Sequence, residues 1–160
     1  MVWLVAFILV LPFSLVLLYG APYLPTREKQ ATQALKLLGL KKGDLLVDLG
    51  CGDGAVLIVA AKQGVKCIGY EINPYVYLIA RARTWRYRSL VTIKMKNFWS
   101  ETIPSEAKGV FVFLLDKFMV KLDDKLSIEL KKGTKLVSYT FEIPNRKIHK
   151  KTGALVLYKY

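Results

Sequence analysis

The stretch Leu45-Leu46-Val47-Asp48-Leu49-Gly50-Cys51-Gly52-Asp53-Gly54 constrains this chain more than any other. Leu45 to Leu49 suits a buried strand that carries an acid near its end, and glycines at alternate positions then turn the chain into an apolar helix ending near Lys62. Glycines reach positive φ without steric cost and let a ligand approach the backbone. The helix start behind them carries N–H groups with no partner inside the helix. Strand, glycine turn and helix in that order open an α/β sheet, and such sheets bind nucleotides at the carboxyl ends of their strands.

The rest of the chain continues the alternation. A helix is predicted from about Arg27 to Leu38, with Thr26 as its cap, Ala31, Ala34, Leu35 and Leu38 on its apolar side and Gly39 at its end. Further strands are expected at Lys66–Glu71, Val91–Met95, Val110–Leu115 and Leu136–Phe141. Helices fall between them, from Pro74 to about Arg88 and from Val120 to Leu130, and two short strands surround Thr152-Gly153. The expected architecture is α/β: a Rossmann-like, doubly wound, mostly parallel sheet with a C-terminal antiparallel hairpin, preceded by an apolar N-terminal helix. Residues 1–22 form the apolar segment and residues 23–160 a single domain.

The spacing of the glycines selects among nucleotides. A dinucleotide fold would show G-x-G-x-x-G without an acid directly before it. Here the pattern is D-x-G-x-G-x-G, and the Lys-Ser/Thr of a phosphate loop is missing. An acid beside the loop suits a ligand with a positive end rather than a pyrophosphate. The second strand ends in Glu71, placed to accept hydrogen bonds from ribose hydroxyls. A ribose, a carboxylate and a cationic end together describe S-adenosylmethionine.

On these residues the chain resembles the seven-strand (class I) S-adenosylmethionine-dependent methyltransferases from about Tyr23 to Tyr160. The resemblance implies that Asp48 and the backbone of Gly50, Cys51 and Gly52 hold the methionine part of the cofactor, and Glu71 the ribose. It places Ile72 against the adenine, Asn97-Phe98 at the position that meets the adenine amino group, and Tyr23 and Thr26 over the methionine end. No metal is called for.

The methyl acceptor is read from the second half. The segment after the fourth strand, Leu114-Leu115-Asp116-Lys117-Phe118, lacks the D/N-P-P-Y/F string of enzymes acting on exocyclic base amines. No cysteine lies there to attack cytosine, because Cys51 and Cys67 both come earlier. The strings Pro22-Tyr23-Leu24-Pro25-Thr26, Gly69-Tyr70-Glu71-Ile72-Asn73-Pro74, Lys96-Asn97-Phe98-Trp99 and Lys132-Gly133-Thr134-Lys135-Leu136-Val137-Ser138 resemble the small protein-lysine methyltransferases. That branch includes a broad-specificity archaeal enzyme acting on basic chromatin proteins, and mitochondrial enzymes that modify a carrier and a component of the ATP synthase. The resemblance implies transfer of methyl to the ε-amino group of lysine in proteins. Tyr23, Trp99, Phe118, Tyr139 and Phe141 are candidate aromatic walls for the amine, and core packing is the competing reading for each. Asp116 and Tyr139 are the candidate catalytic side chains. Asp116 can orient the amine or take its proton through water, or stand as a solvated acid at a helix start. His149, the only histidine, is read as a surface residue.

Charge separates the two parts of the chain. None of the 25 Lys+Arg or 12 Asp+Glu residues precedes Arg27, so a formal charge of +13 belongs to the domain. Such a body suits nucleic acid, an anionic lipid surface or acidic proteins, and Lys-rich solubility is the plain alternative. Nucleic acid is thus a secondary partner and RNA methylation an alternative function. Val2 to Tyr19, nearly all apolar, would span about 27 Å as a helix, close to the ~30 Å hydrocarbon core. It is a candidate membrane anchor, and the Lys/Arg excess behind it would hold the domain on the cytoplasmic face. A non-catalytic, membrane-anchored cofactor-binding protein is a further alternative. Two cysteines cannot build a disulfide scaffold, which fits a reduced, cytoplasmic protein.

Overall fold

The computed structural model describes residues 26–160. The expected apolar helix over residues 1–22, and with it Tyr23, lies outside the described residues. Helix α1 (Glu28–Leu38) leads into β1 (Leu45–Leu49), α2 (Ala55–Lys62), β2 (Lys66–Glu71), α3 (Pro74–Thr84) and β3 (Val91–Met95). Then come β4 (Ala107–Val112), α4 (Met119–Glu129), β5 (Lys135–Tyr139), β6 (Lys150–Thr152) and β7 (Leu155–Lys159), with short 3-10 turns at Trp85–Tyr87, Phe98–Ser100 and Asp116–Phe118.

All seven strands form one sheet in the order β3-β2-β1-β4-β5-β7-β6. Neighbours among β1 to β5 run parallel, whereas β7 runs antiparallel to both β5 and β6. The doubly wound, mostly parallel sheet with its C-terminal hairpin is therefore as the alternation of elements predicts. The chain order reverses between β1 and β4, and that switch point opens a crevice at the carboxyl ends of the strands.

Successive residues of the central strands face opposite layers. Leu46, Phe111, Val137 and Leu155 pack with α1 and α2 in one core, beside Ala34, Leu38, Leu57 and Ala60. Val47, Leu49, Val110, Val112 and Leu136 pack with Leu122 and Leu126 of α4 in the other. Both faces are covered, so these strands read as continuous apolar runs rather than as alternating ones.

Three boundaries differ from expectation, each for a physical reason. The apolar run Val110–Leu115 reads as a strand, but β4 starts at Ala107 and ends at Val112, because its central partner ends there: Leu49, the last residue of β1, is paired with Val112. The fifth strand stops at Tyr139, since Thr140 takes φ 80 and turns the chain out of the sheet. The third helix ends at Thr84, whose hydroxyl donates to the Ala80 carbonyl, and continues as a 3-10 turn instead of reaching Arg88. Thr26 does not cap α1: the cap position belongs to Arg27, and no side chain fills it.

Candidate active site

The site grows out of the end of β1. Asp48 alternates with Val47 and Leu49, both packed on the α4 side, so its carboxylate lies on the α1/α2 side of the sheet. It is 2% exposed and accepts no hydrogen bond among the described residues. Burial, with the nearby Glu71 carboxylate adding repulsion, pushes its pKa up to about 8. A buried acid without a donor is costly, and the group that would satisfy it is a cation.

The glycine turn is held to β2 by its own backbone. The N–H groups of Gly50 and Cys51 both donate to the Tyr70 carbonyl, at 3.0 and 2.8 Å. Gly52 donates to Glu71 Oε2 at 3.0 Å, and Gly54 closes the turn onto the Cys51 carbonyl at 2.9 Å. Gly50, Gly52 and Gly54 all have positive φ, at 92°, 54° and 80°, so the turn requires the residues that bear no Cβ. With the N–H groups at 50, 51 and 52 engaged, the loop offers a ligand its remaining carbonyls and a close approach rather than an anion cradle. The absence of a phosphate-loop lysine agrees with that polarity. Cys51 and Cys67 are buried free thiols, both with raised pKa through burial first, so neither is a nucleophile.

Glu71 ends β2 with both oxygens oriented. Besides Gly52 on Oε2, the Asn73 N–H donates to Oε1 at 2.8 Å. Burial raises its pKa, and the backbone bonds from Asn73, Gly52 and Ile72 oppose that rise. Asn73 caps α3, its side chain accepting from Tyr75 and Val76 N–H at 3.0 and 3.2 Å. The cap thereby fixes the turn that aims Glu71. Ile72, 37% exposed, follows directly and stands at the rim. Gly69 lies in register with Asp48, and a Cβ there would come within 2.6 Å of Leu57 and 2.7 Å of Cys51 Sγ. That glycine lets the loop fold down onto β2, a constraint the sequence shows only as a small residue in a strand.

Asn97 caps the 3-10 turn after β3 with its side-chain oxygen on the Trp99 N–H at 3.1 Å, and Phe98 beside it is buried. Thr26 makes no hydrogen bond among the described residues, and neighbouring Glu28 pairs with Lys62, in the last turn of α2, remote from the glycine loop.

The aromatic candidates divide into two groups. Phe98, Trp99 and Phe118 form a cluster with centroids 4.6 and 6.1 Å apart on the α4 side, where Phe141 also packs. Two of its rings already carry this chain's own cations: Lys121 Nζ lies 4.6 Å from the Trp99 centroid and Lys117 Nζ 4.8 Å from that of Phe118. Tyr139 instead lies on the same side of the sheet as Asp48, paired with Phe113 at 5.0 Å. Phe113 was not among the sequence candidates; its place in the apolar run at 110–115 hides it. Asp116 is exposed, in the 3-10 turn beyond β4. A cavity lined by Asp44, Lys66, Ser89, Thr92, Glu106 and Lys108 opens at the amino ends of the strands, the end of a parallel sheet away from its binding crevice.

Comparison with known proteins agrees with this geometry. The family model of the ANTKMT methyltransferase domain matches residues 48–150. A protein-lysine N-methyltransferase of Saccharolobus islandicus (strain REY15A) is 40% identical over 126 residues, covering 76% of this chain and 78% of that protein. The adenine nucleotide translocase lysine N-methyltransferase of Mus musculus is 34% identical over 126 residues, covering 77% of this chain and 54% of that protein. The chain thus spans about half the length of the mammalian relatives it matches. Among solved structures, an RNA methyltransferase from Salinibacter ruber in complex with S-adenosyl-L-homocysteine superposes with a TM-score of 0.78 at 28% identity, covering 86% of this chain and 92% of that one. A seven-strand sheet with a buried acid and an oriented glutamate at its switch point, matched over this span, places the chain in the ANTKMT methyltransferase domain family of S-adenosylmethionine-dependent methyltransferases.

Proposed function

We propose that this chain methylates the ε-amino group of lysine in protein substrates. The observation that carries the reading is the buried, donor-free Asp48 beside the oriented Glu71, in a chain 40% identical to a protein-lysine N-methyltransferase. Bound S-adenosylmethionine supplies an electrophilic methyl on a sulfonium. Asp48 balances the cationic methionine end, with the backbone of the Gly50-Cys51-Gly52 loop beside it. Glu71 accepts from the ribose hydroxyls, while Ile72 and the Asn97-Phe98 turn flank the adenine.

Little acid–base chemistry is asked of the protein. The incoming ammonium must lose its proton, and burial next to a cation lowers its pKa. Orientation then supplies much of the rate. Tyr139, on the Asp48 side of the sheet and stiffened by Phe113, walls the amine. Asp116, exposed beyond β4, meets the amine as it arrives and passes its proton to water. Basic chromatin proteins are one proposed substrate class. Residues 2–19 attach the domain to a membrane, and the Lys/Arg-rich domain stays on the cytoplasmic side.

RNA methylation is the second reading, favoured by the +13 charge and by the structural likeness to an RNA methyltransferase. The two separate when the full chain is incubated with methyl-labelled S-adenosylmethionine and either nuclease-treated cell protein or deproteinised RNA. Lysine methylation predicts label in the protein pool. Label confined to RNA, lost steeply with added salt, establishes the second reading instead.

A further inference from the structure

From Ile72 to Ser100 the chain contains no Asp or Glu but six cations, Arg81, Arg83, Arg86, Arg88, Lys94 and Lys96. This segment forms α3, the 3-10 turn behind it and the edge strand β3. Two of the cations are matched: Arg83 pairs with Asp53 of the glycine loop, and Lys96 with Glu101. Among the described residues, no carboxylate lies within ion-pair distance of Arg81, Arg86, Arg88 or Lys94.

The same helix surface exposes large apolar side chains. Leu78 is 61% exposed, Ile79 48% and Trp85 58%. Leu78, Arg81 and Trp85 recur at three- and four-residue spacing, so they share one stripe. Arg88 lies over the Trp85 ring at 4.8 Å and Arg81 over the Tyr77 ring at 5.8 Å. Exposed Trp and aliphatic residues interleaved with arginines form the pattern of a segment lying in a bilayer interface. A phosphate backbone would use the arginines, but it has no use for Leu78 and Ile79.

We propose that this α3 face docks on an anionic lipid surface. An apolar element and a basic patch in one chain together hold a membrane surface more stably than either does alone. The uncharged run at 2–19 and the α3 face are two such elements in one chain. Docking is coupled to the site, because Arg83 ties α3 to the glycine loop and a Cβ on Gly54 would meet Thr84 Cγ2 at 2.9 Å. The helix that carries the stripe thus packs directly on the cofactor loop.

The test is flotation of the full chain with phosphatidylcholine vesicles, with or without about one-third phosphatidylglycerol. Three variants are compared: Arg81→Gln/Arg86→Gln/Arg88→Gln, Leu78→Ser/Trp85→Ser, and the charge-matched Lys131→Gln/Lys132→Gln/Lys147→Gln. Binding of S-adenosylmethionine shows that each variant is folded. The arginine variant is expected to lose about 100-fold in affinity for the anionic vesicles while binding neutral ones unchanged. The apolar variant is expected to weaken on both vesicle types, and the lysine variant to weaken less than tenfold. Equal losses in the arginine and lysine variants would reduce the effect to net charge and overturn the proposal. So would an arginine variant that keeps its anionic preference, or one that loses single-stranded RNA binding while its vesicle binding is intact.

Discussion

Asp48 carries the conflict between folding and function in this chain. Its ordinary pKa of 3.8 rises to about 8 in the fold, so the native state holds the proton that the unfolded chain releases near pH 4. Folding stability therefore falls as the pH climbs through that window and levels off above it. Asp48→Asn removes the effect: its Tm is expected to exceed that of the parent by about 4 °C or more at pH 8.5, since ~1 kcal/mol is worth roughly 2–4 °C at this length. The two melting curves should converge at pH 4. On the proposed role of Asp48 as partner of the cationic methionine end, the same variant is expected to bind S-adenosylmethionine more weakly. Binding of that cation to the parent draws Asp48 toward its ionised form and releases protons near pH 7. Calorimetry in buffers of different ionisation enthalpy reads this release, which Asp48→Asn abolishes. Glu71 acts differently. It accepts from the Gly52 and Asn73 N–H groups and is proposed to accept from the ribose as well, so Glu71→Ala is expected to cost about 100-fold or more in cofactor affinity, and Glu71→Gln less.

At the scale of elements, the carboxyl end of β2 determines how closely the loop can lie. Gly69→Ala places a methyl against Leu57 and Cys51 Sγ, and overpacking of this kind costs about 1–3 kcal/mol. A lowered Tm together with weakened cofactor binding checks it; unchanged binding would mean that the loop position does not depend on this contact. The first half of the fold was legible in the sequence because its signals are local. β1, α2, β2 and β3 begin and end at the residues read from glycines, prolines and apolar runs, as at Gly64 and Pro74. Boundaries set by partners were not legible. Val112 ends β4 because β1 ends beside it at Leu49, and no residue at 113–115 announces that. Thr140 takes a left-handed turn that its side chain does not advertise, held by its N–H on the Ala154 carbonyl at 2.7 Å. The site divides in the same way. Asp48, the glycines and Glu71 stand in one contiguous pattern, while the separation of Tyr139 from Trp99 and Phe118 depends on which side of the sheet each occupies.

For the whole molecule, one sheet covered on both faces gives a frame whose switch point brings Asp48 at the end of β1 beside Glu71 at the end of β2, with Tyr139 two strands away on β5 and on the Asp48 side of the sheet. No helix among the described residues is long and apolar enough to cross a membrane. The frame fits the cofactor, and the acceptor remains the claim most exposed to test. The most direct measurement is acid hydrolysis of protein labelled by the full chain with methyl-labelled S-adenosylmethionine, followed by separation of the amino acids, with Glu71→Ala run in parallel. The account predicts that the label elutes as ε-N-methylated lysine and disappears with Glu71→Ala. Label on any other residue, or lysine label that survives Glu71→Ala, would contradict it.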